Sequence, residues 1–400
     1  MYRIGKRELR RIEGLFRSKQ IFRYGQATEC ETFETAWGRR LGVEHVRMTT
    51  SGTSALYAAL VGMGVGPGDE VIVPACTYMA TALAVLSTGA IPTVADVDES
   101  ITLSTQDVER RLTPFTKAII PVHMWGLACD MDGLMKLANE HGVLVLEDAC
   151  QSVGGGYKGR MLGSIGHAGA FSFNYYKNMT SGEGGAFVTD SEEIMNRGSV
   201  AVDCCSYYWN PEEHREALQF AGLNYRATEV SGAILNGQLE RIDDMLGTMR
   251  RHKGELLAAG REAGLTPIDY NSFDDDCGTH LGFGFATEEE ARGFSDRLKE
   301  QTVKTGIFSS SEASIRSFLP IDTGRHVYTR WDPIMRKQGA HHPDLNPYNL
   351  EANKKLEVEY SVDMCKSSLD ILSRSVLVPM HCDRSDRTVD QMGKAIQAAA

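Results

Sequence analysis

Residues 117–148 read KAIIPVHMWGLACDMDGLMKLANEHGVLVLED, and the order of elements in this stretch decides the fold class. Lys117–Pro121 and Val143–Glu147 are short apolar runs of the kind that form buried strands. Asp130–His141 between them reads as a helix, with Asp130 placed to cap its start and Gly142 to end it. A strand, a helix and a second strand joined at these lengths form a right-handed crossover between parallel strands. The alternation extends from about residue 40 to about residue 190, with further strand candidates at Val71–Val73, Thr93–Val97, Ala170–Phe173 and Ala186–Thr189 and a helix at Ala55–Met63. The expected architecture is therefore an α/β domain of three αβα layers around a mostly parallel sheet.

Near residue 245 the pattern changes. Ile234–Lys253 reads as one long helix leading out of the first domain, with apolar residues at Ile234, Leu235, Leu239, Ile242 and Leu246. His280–Ala286 carries a short strand signal, Glu288–Gln301 a charged helix, and Leu369–Pro379 a helix-to-strand stretch. Thr287 and Glu290 have the spacing of a capping box. These signals predict a smaller α+β domain over 246–400, after a large domain over 1–245.

Composition narrows the function classes. The chain has 400 residues, 42% hydrophobic and 24% charged, and a formal net charge of −11. With no basic run it is a poor ligand for nucleic acid or an anionic membrane, both of which require positive potential. Nine scattered cysteines without a C-x-x-C pair fit reduced thiols in the cytoplasm. The start, MYRIGKRELRRIEG, lacks the apolar segment of a signal peptide. Val71–Val94, the most apolar stretch, is interrupted by Pro74 and Pro92 and reads as strand–helix–strand, not as a membrane span.

Three stretches could carry chemistry. Thr50-Ser51-Gly52-Thr53-Ser54 follows a strand and opens a helix, whose first N–H groups are unpaired and partly positive. Such a site suits a phosphate, and the same residues also describe an ordinary helix cap. Glu147-Asp148 ends a strand at the carboxyl edge of the sheet, where open α/β sheets bind ligands. Lys177 follows two tyrosines and precedes the glycine-rich Ser181–Gly185, an odd setting for a solvated lysine. A partly buried lysine readily loses its charge and attacks carbonyls. A phosphate cradle, a strand-edge carboxylate, an aromatic at Tyr78 and a later lysine are together what pyridoxal phosphate requires.

In that order along the chain, the motifs SGTSAL, GDEVIVPACTYMATA, TKAIIPVHMWGLACDMDGL, LEDACQSVGGGYKGRMLG, GAFSFNYYKNMTSGEGGAFVTD and GLNYRATEVSGAILNGQLERID resemble those of the DegT/DnrJ/StrS aminotransferases. The resemblance runs from Tyr24 to about Asp244. It implies an aspartate-aminotransferase-like (fold type I) architecture, a pyridoxal phosphate cofactor and a homodimer with active sites at its interface. It also implies roles: Lys177 as the Schiff-base lysine and proton carrier, Asp148 against the pyridinium nitrogen, Gln151 against the ring and Tyr78 stacked on it. Gly52, Thr53 and Ser172 would hold the phosphate, joined by Asn224 from the partner subunit. The activity implied is ping-pong transfer of an amino group from L-glutamate or L-glutamine to a keto or aldehyde group of a sugar, cyclitol or related polyol in cytoplasmic biosynthesis.

The chain departs from the family pattern at two places. Asn174 stands where many members have His, and an H-Y-P-type stretch is replaced by Thr323-Gly324-Arg325-His326-Val327-Tyr328-Thr329-Arg330-Trp331. Arg325, His326 and Tyr328 in this stretch, with His123 in the cavity wall, are candidates for substrate contacts; a purely structural loop is the alternative. His341-His342 reads as exposed loop and Cys204-Cys205 as packing, and no metal site is expected. Two other activities compete: a pyridoxal-phosphate dehydratase or lyase, whose members typically carry His at the lysine position, and a non-catalytic regulator. Lys177 argues against the first, and Lys177 together with Asp148 against the second.

Overall fold

The computed structural model of the chain describes residues 4–26, 28–204, 206–209, 220–303 and 313–400. Seven strands, β1 (His45–Thr49), β2 (Glu70–Pro74), β3 (Ile91–Ala95), β4 (Thr116–Ile119), β5 (Leu144–Asp148), β6 (Ala168–Ser172) and β7 (Gly185–Thr189), form one sheet in the order β1-β7-β6-β5-β4-β2-β3. From β3 to β6 all neighbours are parallel. β7 alone is reversed, pairing antiparallel with both β6 and β1. Every residue of β2, β6 and β7 is buried, as a sheet covered by helices on both faces requires.

This topology positions the site. β1, β5 and β6 run in one direction, so their carboxyl ends share one edge of the sheet. Ser51, Asp148 and Ser172 lie at those ends, although they are far apart in sequence. The helix Gly52–Gly62 starts at that edge, and its alanines Ala55, Ala58 and Ala59 are fully buried. Small residues let this helix lie close to both the sheet and the helix Glu192–Val202.

A second sheet of three antiparallel strands, β8 (Thr266–Pro267), β9 (His280–Gly284) and β10 (Ser375–Pro379), packs with helices Ile242–Glu262, Glu288–Glu300 and Asp386–Ala399. Thr287 caps the second of these helices by accepting from the Glu290 N–H, while the Glu290 carboxylate accepts from the Ala286 N–H and not from Thr287.

One expectation needs correction. The long helix over Ile234–Lys253 is in fact two, Glu229–Leu239 and Ile242–Glu262. Arg241 between them leaves helical geometry (φ −131°, ψ 10°), and its guanidinium reaches back to the Gly237 carbonyl and the buried Glu8 carboxylate. Helical periodicity runs through this break, which a long-range ion pair enforces. Part of the chain beyond residue 245 packs on the large sheet. Thr77 N–H donates to the His326 carbonyl (2.9 Å), Tyr328 N–H to the Ala75 carbonyl (3.0 Å) and Tyr360 Oη–H to the Pro92 carbonyl (2.6 Å). Tyr328, Trp331 and Ile334 belong to the same apolar cluster as β2. Among the described residues, no helix is long and apolar enough to cross a membrane.

Candidate active site

At the carboxyl edge of the large sheet, Ser51 begins the helix Gly52–Gly62. Its Oγ accepts from the Ser54 N–H (3.1 Å), and the Ser54 Oγ accepts from the Ser51 N–H (3.0 Å). This reciprocal cap satisfies two of the orphan donors and leaves the Gly52 and Thr53 N–H groups without a partner among the described residues. A Cβ at Gly52 would lie 2.7 Å from Cys150 Sγ and 2.8 Å from Ser172 Cβ, so glycine is required for this close approach.

β5 ends in Asp148, which is 4% exposed. One carboxylate oxygen accepts from the Thr81 hydroxyl (2.8 Å) and the other from the Cys150 N–H (3.1 Å). Because the Thr81 hydroxyl hydrogen is committed to Asp148, the neighbouring Thr77 hydroxyl (2.8 Å) donates to Thr81. The two donors fix the plane of the carboxylate. Gln151 Oε1 accepts from the Trp125 N–H at 3.3 Å.

Lys177 lies in the turn that joins β6 to β7. Its N–H donates to the Asn174 carbonyl (3.0 Å), and Asn174 Oδ1 accepts from the Tyr176 N–H (3.2 Å). Asn174 Nδ2 donates to Glu183 (2.9 Å), closing the turn from the other side. Asn174 therefore shapes the turn that presents the lysine. Nζ of Lys177 makes no hydrogen bond or ion pair among the described residues. It borders a cavity of about 670 Å3 in which it is the single lysine or arginine among the described lining residues.

Part of the wall is aromatic. Tyr78, 45% exposed, lies 5.8 Å from the His326 ring, and Trp125 lies 6.1 Å from that ring. Trp125 has φ 55° and ψ 20°, the left-handed region that bulky residues avoid. Its peptide is held on both sides: Gln151 takes the N–H, while the Thr279 hydroxyl (2.6 Å) and His280 Nδ1 (2.8 Å) both reach its carbonyl. Burial pushes the His326 imidazole below its ordinary pKa, and the positive charge of Lys177 pushes it further. Burial takes His280 down to about 4.

The structure thus brings Gly52, Thr53, Tyr78, Asp148, Gln151, Ser172, Lys177 and His326 around one cavity. Three expected substrate residues are not on its wall. His123 is fully buried, with Nε2 donating to Glu147 (3.0 Å) and Nδ1 accepting from the Cys129 N–H (3.2 Å). Glu147 also accepts from the Gly163, Ile165 and Gly166 N–H groups, so this pair braces a loop behind β5. Tyr328 is fully buried and donates to the Val362 carbonyl (2.6 Å), and Arg325 is exposed with its carbonyl bound to Trp331 Nε1. Asn224 is exposed, does not line its own chain's cavity, and accepts from the Arg226 N–H (3.4 Å).

Sequence reasoning missed Thr81, Thr279 and His280 as cavity residues. Thr81, a single helical turn from Tyr78, was the most findable of these, whereas His280 showed only as the start of a strand. His341 and His342 are exposed; Cys204 is half-buried, and Cys205 lies outside the described residues. Among the described residues, His381, Cys382 and Asp383 bring ligand atoms within 4.8 Å of one another, away from the cavity wall.

Residues 2–316 match the model of the DegT/DnrJ/EryC1/StrS aminotransferase family. A GDP-perosamine synthase of Caulobacter vibrioides is 42% identical over 228 residues, 56% of this chain and 59% of that protein. A putative L-glutamine:3-amino-2,3-dideoxy-scyllo-inosose aminotransferase of Streptoalloteichus tenebrarius is 34% identical over 318 residues, 76% of this chain and 74% of that one. The chain spans between 59% and 63% of the length of the first three curated relatives. A solved 3-amino-5-hydroxybenzoic acid synthase superposes with a TM-score of 0.77 at 28% identity, over 100% of this chain and 97% of that one. The chain, with its strand-edge carboxylate and unpaired lysine around one cavity, belongs to the DegT/DnrJ/EryC1/StrS aminotransferase family.

Proposed function

We propose that the protein binds pyridoxal phosphate and transfers an amino group from L-glutamate or L-glutamine to a keto or aldehyde group of a sugar, cyclitol or related polyol. The observation that carries this reading is the convergence of Lys177, Asp148 and the Gly52–Thr53 N–H groups on one cavity. The residues fit the cofactor. Two unpaired helix N–H groups and the Ser172 hydroxyl suit a phosphate, in a cradle that a Cβ at Gly52 would fill. A doubly anchored Asp148 carboxylate suits a protonated pyridine nitrogen.

When bound, the cofactor supplies the electron sink that makes a substrate Cα acidic. Asp148 would favour the protonated ring nitrogen, and Tyr78 and Gln151 would hold the ring. Lys177 Nζ would be the group that holds the cofactor covalently at rest and is released when an amino donor binds. The freed amine then carries the proton from the donor Cα, and in the second half returns a proton to the acceptor carbon. With no neighbour holding Nζ, the lysine can move between the two positions. The bound cofactor would store the amino group between the halves, so the donor product would leave before the acceptor enters the same cavity, and ping-pong kinetics are expected.

Visible absorption of the cofactor-saturated protein tests the reading. The expected result is a band that borohydride traps on the Lys177 peptide and that L-glutamate or L-glutamine bleaches. Saturated protein with no trappable band rules the reading out. Gly52→Ala tests the cradle separately: the added methyl meets Cys150 and Ser172, and an overpacking cost of about 1–3 kcal/mol lowers cofactor affinity roughly 5- to 150-fold. Fluorescence titration with pyridoxal phosphate reads this change, and unaltered affinity would place the phosphate elsewhere.

A further inference from the structure

We infer that His280 is a specificity-determining residue that reads a hydroxyl group of the amino acceptor; this rests on the aminotransferase function proposed above. His280 opens β9, the strand of the smaller sheet that reaches the cavity. Its Nδ1 lies 2.8 Å from the Trp125 carbonyl. A carbonyl can only accept, so Nδ1 carries the hydrogen and Nε2 carries the lone pair. Burial keeps the ring neutral by lowering its pKa to about 4, and the assignment therefore holds across the neutral range. Nε2 is thus a fixed acceptor on the cavity wall with no partner among the described residues.

Two neighbouring donors are already committed. The Thr279 hydroxyl donates to the Trp125 carbonyl, and the Trp125 N–H goes to Gln151. The ring itself is wedged edge-on to Phe318, with centroids 5.9 Å apart and planes at 85°, so it cannot readily turn. A ligand that meets Nε2 must bring an O–H or N–H donor; a carboxylate or a phosphate dianion offers only acceptors. A site built to hydrogen-bond a hydroxyl rejects the analogue lacking it, because the protein atom is then left unpaired. The acceptor class this selects is a polyhydroxylated ketone or aldehyde, as opposed to a keto acid.

The test separates the two nitrogens. In His280→Asn the amide NH2 takes the place of Nδ1–H and can keep its bond to the Trp125 carbonyl, while the Nε2 acceptor is lost. In His280→Phe both are lost. Rates are measured in each half separately, using L-glutamate and L-glutamine as donors and the best acceptor from a screen of keto-sugars, keto-cyclitols and keto acids, with its monodeoxy analogues. Expected for His280→Asn is a roughly tenfold rise in acceptor KM, a much smaller change in kcat, and loss of wild-type discrimination against one deoxy analogue. The defect is confined to the acceptor half. Wild-type acceptor kinetics in His280→Asn, with a defect only in His280→Phe, would reduce His280 to a brace for Trp125 and overturn the inference. So would a slowed donor half in His280→Asn, or a screen in which keto acids are the only acceptors. A wild-type protein that shows no donor half-reaction fails at the earlier step, and the aminotransferase function falls with it.

Discussion

Lys177→Ala is expected to leave a folded protein that has lost amino transfer by on the order of 10⁴-fold or more. The substitution removes both the covalent anchor and the proton carrier, and proton transfer alone contributes up to about 10⁴-fold. Stability changes little, because Nζ has no hydrogen bond or ion pair among the described residues to lose. Thermal unfolding should shift by no more than a few degrees, which separates a catalytic defect from a folding one. The variant still binds pyridoxal phosphate through the Gly52–Thr53 cradle, and borohydride no longer fixes it to the chain. Retained turnover in Lys177→Ala would mean that another amine does the chemistry, and the proposed mechanism would be wrong.

Asp148→Asn is the second large effect, a loss of roughly 10³-fold in the donor half-reaction, comparable with removing a preorganised charge partner in other active sites. Asparagine has the same shape, yet it cannot supply the negative charge that favours a protonated pyridine. Its NH2 group would also face either the Thr81 hydroxyl or the Cys150 N–H, where the wild-type carboxylate accepts from both. Cofactor affinity is expected to fall far less than the rate, since in the proposed reading the phosphate would be held by separate residues. Stopped-flow bleaching by the amino donor measures the rate, and titration measures the affinity. An unchanged rate would remove Asp148 from the reaction.

The βαβ alternation, the helix at Met131–His141 with its Asp130 cap, and the motifs around Gly52, Asp148 and Lys177 were all legible in the chain. Each is a local pattern: a side chain and its backbone neighbours determine it. The three expected substrate residues that missed the cavity show where local reading stops. His123 and Tyr328 are polar residues in a segment that borders the site, yet both side chains turn inward to buried partners. The break at Arg241 is likewise imposed by Glu8, more than two hundred residues earlier, and no periodicity within the helix signals it. His280 and Thr279 reach the cavity because the smaller sheet docks against Trp125, a contact between segments about 150 residues apart.

The sequence by itself determined the fold class, the family and the order along the chain of residues that line the cavity, because strand-end and helix-start chemistry depends on nearest neighbours. The tertiary structure alone decided that Ser51, Asp148 and Ser172 share one sheet edge, that Trp125 is held in a left-handed conformation, and that His280 presents a fixed acceptor to the cavity. The reason is physical: side-chain direction and tautomer are set by long-range packing and hydrogen bonding, in which the partner is brought into place only by folding.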